Sequence, residues 1–182
     1  MLLSRRILLS GLTASASTAI AAPWSALAAS KVDNKIDKAL RELYADAPAA
    51  KDLSTRATAI LVFPRITKAG FLFGGAYGEG VLRKGGVDVG NYNSVAASYG
   101  LQAGIQSFGY ALFFMNDQAL TYLDNSAGWE IGSGPSVVVV DKGMAKKLSS
   151  TTLTQDVYAF IFGQQGLMAG LGLEGSKITR IR

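Results

Sequence analysis

Ala69–Leu82 reads AGFLFGGAYGEGVL. Taken as an extended chain, Phe71, Phe73, Tyr77 and Val81 fall on one side, and Gly70, Gly74, Ala76, Gly78 and Gly80 on the other. Alternation with a period of two is the signature of a strand, yet the second face is bare rather than polar. Glycine weakens a strand interior, so a row of it marks close approach of another backbone, a tight bend, or a ligand. The pattern recurs in Gly100–Phe114 (GLQAGIQSFGYALFF) and Gly166–Gly175 (GLMAGLGLEG). Three glycine-faced strands of one sheet are expected. Their shared structural meaning is a strongly curved sheet that closes on itself or on a helix.

The flanking sequence supplies the remaining elements. Lys31–Ala45 carries Val32, Ile36, Leu40 and Leu43 at helical spacing with acids early in the run, and Asp46-Ala47-Pro48 ends it. Pro48 suits the first position of a second short helix ending near Arg56. Thr58–Phe63 (TAILVF) reads as a buried strand closed by Pro64, followed by a basic turn at Arg65–Lys68. Gly85-Gly86 is a turn, Val87–Val89 a short strand and Gly90–Ser94 a loop. The second glycine-faced segment reads as two strands broken near Ser107–Gly109. Asn116 or Asp117 offers an N-cap to a helix over Gln118–Asp124. Trp129–Ile131 leads to Val137–Val140, four valines read as a buried strand. Asp141–Leu148 reads as a short cationic helix or turn, and Val157–Phe162 and Leu167–Leu173 as a strand pair. Lys177–Ile181 reads as an edge strand. The sum is α+β: a strongly curved antiparallel sheet or partial β-barrel, with N-terminal helices and one or two short helices packed on it.

The first 28 residues read as a cleaved signal peptide, leaving 29–182 as a single domain. Ser4-Arg5-Arg6-Ile7-Leu8-Leu9 fits the twin-arginine export pattern, and Ala26-Leu27-Ala28 offers a cleavage site. The expected location is periplasmic or secreted. The chain has no cysteine, hence no disulfide and no lipid-anchored cysteine. No second apolar segment approaches a membrane span. The formal charge is +5, and loss of Arg5 and Arg6 with the leader leaves about +3, which is mild. Basic residues group at Arg65/Lys68, Arg83/Lys84, Lys142/Lys146/Lys147 and Lys177/Arg180/Arg182. They are solvated turns, or together a patch for anionic headgroups.

The absence of histidine excludes Ser-His-Asp triads and His-containing zinc sites. Carboxylates at Glu79, Asp88, Glu130 and Glu174 leave acid–base chemistry open, against the plainer reading of solvated strand ends. The glycines of Gly74–Gly80 open no helix and lack the lysine of a phosphate loop. Low charge and export argue against nucleic acid. No catalytic residue, metal or cofactor is expected. Most strand aromatics are expected in the core. Any left exposed beside Arg65/Lys68 or Arg83/Lys84 would suit an interface with anionic lipid, where basic residues add about 1 kcal/mol each.

Four stretches carry a family likeness: Ala59–Leu82, Leu101–Asp117 (LQAGIQSFGYALFFMND), Gly134-Pro135 before the valine strand, and Gly166–Ile178. Together they resemble the SYLF domain, and the likeness spans about Lys35–Arg182. The resemblance implies a lipid-binding domain without an enzymatic reaction, and in yeast relatives actin binding and bundling. Asn91–Ser94 (NYNS) departs from the Trp-Ser-x-Pro stretch common in the family. An exported chain meets neither actin nor the usual phosphoinositides, which leaves anionic phospholipids of the bacterial envelope. The residues expected to meet them are Arg65, Lys68, Phe71, Phe73, Arg83, Lys84, Lys142, Lys146 and Lys147. The rival readings are a protein-interaction or structural envelope module, a carboxylate-based hydrolase, and a carrier of a small hydrophobic ligand.

Overall fold

The computed structural model describes residues 24–71, 73–99, 104–140, 153–166 and 175–181. Two helices, α1 (Trp24–Asp46) and α2 (Pro48–Ser54), precede four long strands: β1 (Ala59–Phe71), β2 (Phe73–Lys84), β3 (Val87–Tyr99) and β4 (Gly104–Phe114). Then come α3 (Asp117–Asn125), β5 (Trp129–Glu130), β6 (Val137–Val140), β7 (Val157–Gly166) and β8 (Lys177–Ile181). Among the described residues the strands form one sheet in the order β5-β8-β3-β2-β1-β4-β7-β6. Every pairing is antiparallel except β6 with β7. The sheet curls into a half-barrel, so the α+β reading with a curved sheet is borne out.

The curl is built around Pro64. On both sides of β1 the register gains one residue there: Val62 faces Val81 and Arg65 faces Glu79, while Phe63 faces Tyr110 and Ile66 faces Phe108. Proline has no N–H to give a ladder, so a strand that runs through it bulges. The residues opposite the bulge are Gly80 and Gly109. Phe63 lies where a side chain on Gly80 would sit, and Phe162 where one on Gly109 would sit. The glycine faces are therefore the space into which neighbouring rings pack.

Two cores result. On the inner, concave face, Leu61, Phe63, Ile66, Tyr110, Leu112 and Phe114 pack with Trp129 and with Leu120 and Leu123 of α3. On the outer face, Ile60, Val62, Val81, Phe113 and Phe160 are covered by Ile36, Leu40 and Leu43 of α1 and Leu53 of α2.

Several expectations change. β1 does not stop at Pro64 but bulges through it, so Arg65–Lys68 is strand rather than turn. Val87–Tyr99 is one strand, since the tight Gly85-Gly86 turn (φ 58° and 82°) pairs it with β2 along its whole length. The break near Ser107–Gly109 is a register shift against β7 within a continuous β4. The valine strand β6 lies at a sheet edge with Val139 exposed, whereas β8 has a further strand, β5, beyond it. α1 begins at Trp24, and α3 is capped by Asn116, whose side chain accepts from the Ala119 N–H. Residues 1–22, Asp141–Leu148 and Leu167–Leu173 lie outside the described residues.

Asp156 ties three of these pieces together. Its carboxylate accepts from Asn116 Nδ2 (2.8 Å), Ser136 N (2.9 Å) and Ser136 Oγ (2.8 Å). The Ser136 backbone N–H, then Asn116 and the Ser136 hydroxyl, hold its pKa below the ordinary value. A depressed carboxylate stabilises the fold fully above its unfolded pKa of about 4 and loses that contribution as pH falls through the folded value. Because water reaches this carboxylate and replaces part of what is lost, Asp156→Ala is expected to cost about 0.5–1 kcal/mol at neutral pH. Thermal melts of both proteins in acid should show that gap narrowing below about pH 4.

Candidate functional site

Among the described residues, helices cover the outer face at one end only. Beyond α1 and α2, the register sets Thr67, Tyr77 and Val95 in one row, and Ala69, Gly75, Ala97 and Ile105 in the next. Phe73 follows two residues beyond Gly75 on the same face. Nothing among the described residues packs over this end: Phe73 is 72% exposed, Ile105 69%, Tyr77 50% and Val95 47%. Scattered surface apolar side chains are ordinary, but a contiguous set of large ones marks an interaction surface.

Between this strip and α1 lies a groove of about 580 Å³, floored by the β2 backbone from Tyr77 to Val81. Ile36, Pro64 and Val81 give it an apolar base, and Ile181 and Asn91 border it on the β3–β8 side. Lys35 and Arg65 stand at its rim. Both are exposed and neither has an ion-pair partner among the described residues. The Tyr77 hydroxyl donates to Glu79 Oε1 at 2.9 Å, and this bond raises the phenol's pKa.

The sequence-expected contact residues separate into groups. Arg65 lies on the outer face with the strip, and so does Phe73. Lys68 faces the opposite way, across from Ala76 and Gln106 on the half-buried inner side. Arg83 is committed elsewhere. It forks onto Asp88 (2.6 and 3.3 Å) and reaches Asp37 of α1 at 2.6 Å, which hold it more firmly protonated against the opposing effect of burial. It pins the helix to the β2–β3 hairpin. Lys84 stands 3.8 Å from Asp117, both exposed. Lys142, Lys146 and Lys147 lie outside the described residues, as does the side chain of Phe71.

Most of the strand aromatics are core, as expected: Phe108, Phe113, Phe114, Tyr158, Phe160 and Phe162 are buried, whereas Phe73 and Tyr77 are exposed. The available signal was Glu79, an acid in mid-strand on the same parity. Val95, Ile105 and Lys35 were not singled out because their exposure depends on where α1 ends on the sheet.

Two buried tyrosines are tied up in hydrogen bonds. Tyr110 donates to Ser94 Oγ at 2.7 Å within the inner core, where burial raises its pKa. Tyr92 donates to Asp124 Oδ1 at 2.8 Å, with Arg180 at 3.5 Å from the same carboxylate oxygen and over the Tyr92 ring. Burial, then Asp124, raises the Tyr92 pKa against the lowering effect of Arg180. No group of three or more metal-ligating side chains occurs among the described residues. No described helix is long and apolar enough to cross a membrane.

Fold and surface together define a curled-sheet α+β domain with an exposed apolar face. Residues 95–181 match the family model described as Ysc84, Las17-binding protein actin regulator, and the SYLF resemblance is borne out over that segment. No curated protein matches the chain. The matched segment contains the end of β3 and all of β4–β8. In the sheet, β3 and β4 are separated by β2 and β1, so the segment needs the preceding strands to form a continuous sheet.

Proposed function

We propose that this chain is an exported, non-catalytic domain that associates with anionic phospholipid surfaces through the end of its sheet that α1 and α2 leave open. One observation carries the reading: Phe73, Tyr77, Val95 and Ile105 share one exposed face with the cation Arg65, and Lys177 stands opposite Val95. Inserting a large apolar side chain into an acyl layer contributes about 1.5–3 kcal/mol. Each basic residue near a charged leaflet adds about 1 kcal/mol. Neither contribution alone anchors a protein; together they favour a surface that is both apolar and anionic.

Co-sedimentation of the purified chain with neutral and anionic vesicles at low and high salt tests this. Binding is expected to anionic vesicles only and to weaken in salt. The double variant Phe73→Ser/Ile105→Ser should lose binding by about ten-fold or more. Arg65→Glu should lower the affinity and flatten its salt dependence. Equal pelleting with neutral vesicles would remove the anionic selectivity, and none with either would remove the lipid reading.

A protein partner on the same strip is the second reading. The matched family's description names Las17 binding and actin regulation, which are protein contacts. Absence of vesicle binding together with a fully folded chain would favour it.

A further inference from the structure

The groove beside α1 is distinct from the flat strip, and its shape and charge suit a different kind of contact. Its volume of about 580 Å³ lies within the range of roughly 300–1,000 Å³ typical of sites that enclose a small ligand. The base is apolar: Ile36 and Val81 are buried side chains, and Pro64 lies beside them. The rim is cationic, with Lys35 from α1 and Arg65 from β1 exposed and without ion-pair partners among the described residues. The rim's carboxylate, Glu79, already accepts the Tyr77 hydroxyl.

We infer that this groove seats one single-chain anionic lipid, its tail along the apolar base and its head between Lys35 and Arg65. The inference rests on the lipid reading above and deepens it from a surface contact to a one-to-one site. Charge complementarity selects the occupant. A zwitterionic head gains less than an anionic one, because its own ammonium is repelled by the two cations that its phosphate meets, and a two-chain lipid is too large for a groove of this volume to enclose. The groove is continuous with the strip because Tyr77 belongs to both. A lipid held there can pass to or from the surface on which the strip rests.

The test titrates lysophosphatidylglycerol, below the concentration at which it forms micelles, into the purified full chain. Lysophosphatidylcholine is the neutral control, and native mass spectrometry and calorimetry give the readout. One bound lysophosphatidylglycerol per chain and no lysophosphatidylcholine complex is the expected result. Asn91→Trp, which places a ring at the groove border without entering either core, should abolish that complex while vesicle sedimentation stays at the unsubstituted level. Lys35→Glu, on the exposed side of α1, should weaken it by about ten-fold, as expected for one charge-assisted hydrogen bond. This variant keeps the test decisive should Asn91→Trp fold poorly. Absence of a one-to-one complex, or an unchanged affinity in Lys35→Glu, overturns the groove while leaving surface binding intact. Conversely, Phe73→Ser/Ile105→Ser is expected to lose vesicles yet keep the one-to-one complex, so failure of the surface and of the groove read out separately.

Discussion

Trp129→Ala is expected to destabilise the protein by about 3–5 kcal/mol, the cost of removing a fully buried aromatic side chain and leaving its cavity. The indole is 1% exposed and lies in the inner core with Leu120 and Leu123 of α3, its ring centroid 5.9 Å from that of Phe114. Its Nε1–H donates to the Ser133 carbonyl at 2.9 Å, which fixes the turn that follows β5. β5 is only two residues long and holds to the sheet through pairs with Ile178 and Lys177 of β8. The indole therefore anchors the strand more than the ladder does. A domain of this size is stable by about 5–15 kcal/mol, so the loss is a large fraction of the total. Trp129→Phe separates the two contributions: it keeps most of the apolar contact but strands the Ser133 carbonyl, at about 1–2 kcal/mol. Denaturant melts followed by circular dichroism would rank the three proteins. A Trp129→Ala midpoint close to that of the unsubstituted protein would mean that α3 and the sheet close without the indole.

Much of the architecture was readable because local and tertiary preferences agree. Ile36, Leu40 and Leu43 repeat at helical spacing and all three are buried against the outer face. Asn116 caps α3 as its side chain allows, and Gly85-Gly86 makes the turn that two positive φ angles demand. The misreadings share one cause. Pro64 reads as a stop because proline cannot donate to a ladder, but a bulge absorbs the missing donor and lets β1 continue to Phe71. Once β1 is long, β2 and β3 extend with it past the helices, and the aromatic parity of β2 ends in solvent instead of core. Parity tells which residues share a face. It does not tell how far along the strand that face stays covered, because that depends on α1, packed from distant sequence. The candidate surface was thus half legible: Arg65, Phe73 and Tyr77 from their neighbours and parity, but Val95 and Ile105 only from the register that gathers four strands. Arg83 shows the converse. It looked available in the sequence, and Asp37, 46 residues away, takes it.

The bulge also makes a sharp prediction about glycine. A methyl group on Gly80 would stand 2.6 Å from the Val62 carbonyl oxygen and 2.6 Å from the Phe63 ring. The ring is buried and the carbonyl belongs to the bulged strand, so neither yields without moving the sheet. Gly80→Ala is expected to cost about 1–3 kcal/mol as an overpacked core substitution, and a larger residue more. Gly75 lies five residues earlier in the same strand, on the exposed face, where the nearest atom to a new methyl is the Ala96 carbonyl at an ordinary 3.7 Å. Its φ is not positive, so alanine fits the native backbone. Gly75→Ala should be neutral or stabilise by up to about 1 kcal/mol, since it mainly restricts the unfolded chain. The pair discriminates between two accounts of the glycine row. If glycine served strand flexibility, both substitutions would act alike in thermal melts. If it serves the approach of β1 at its bulge, they differ in sign, and the difference maps where the sheet bends.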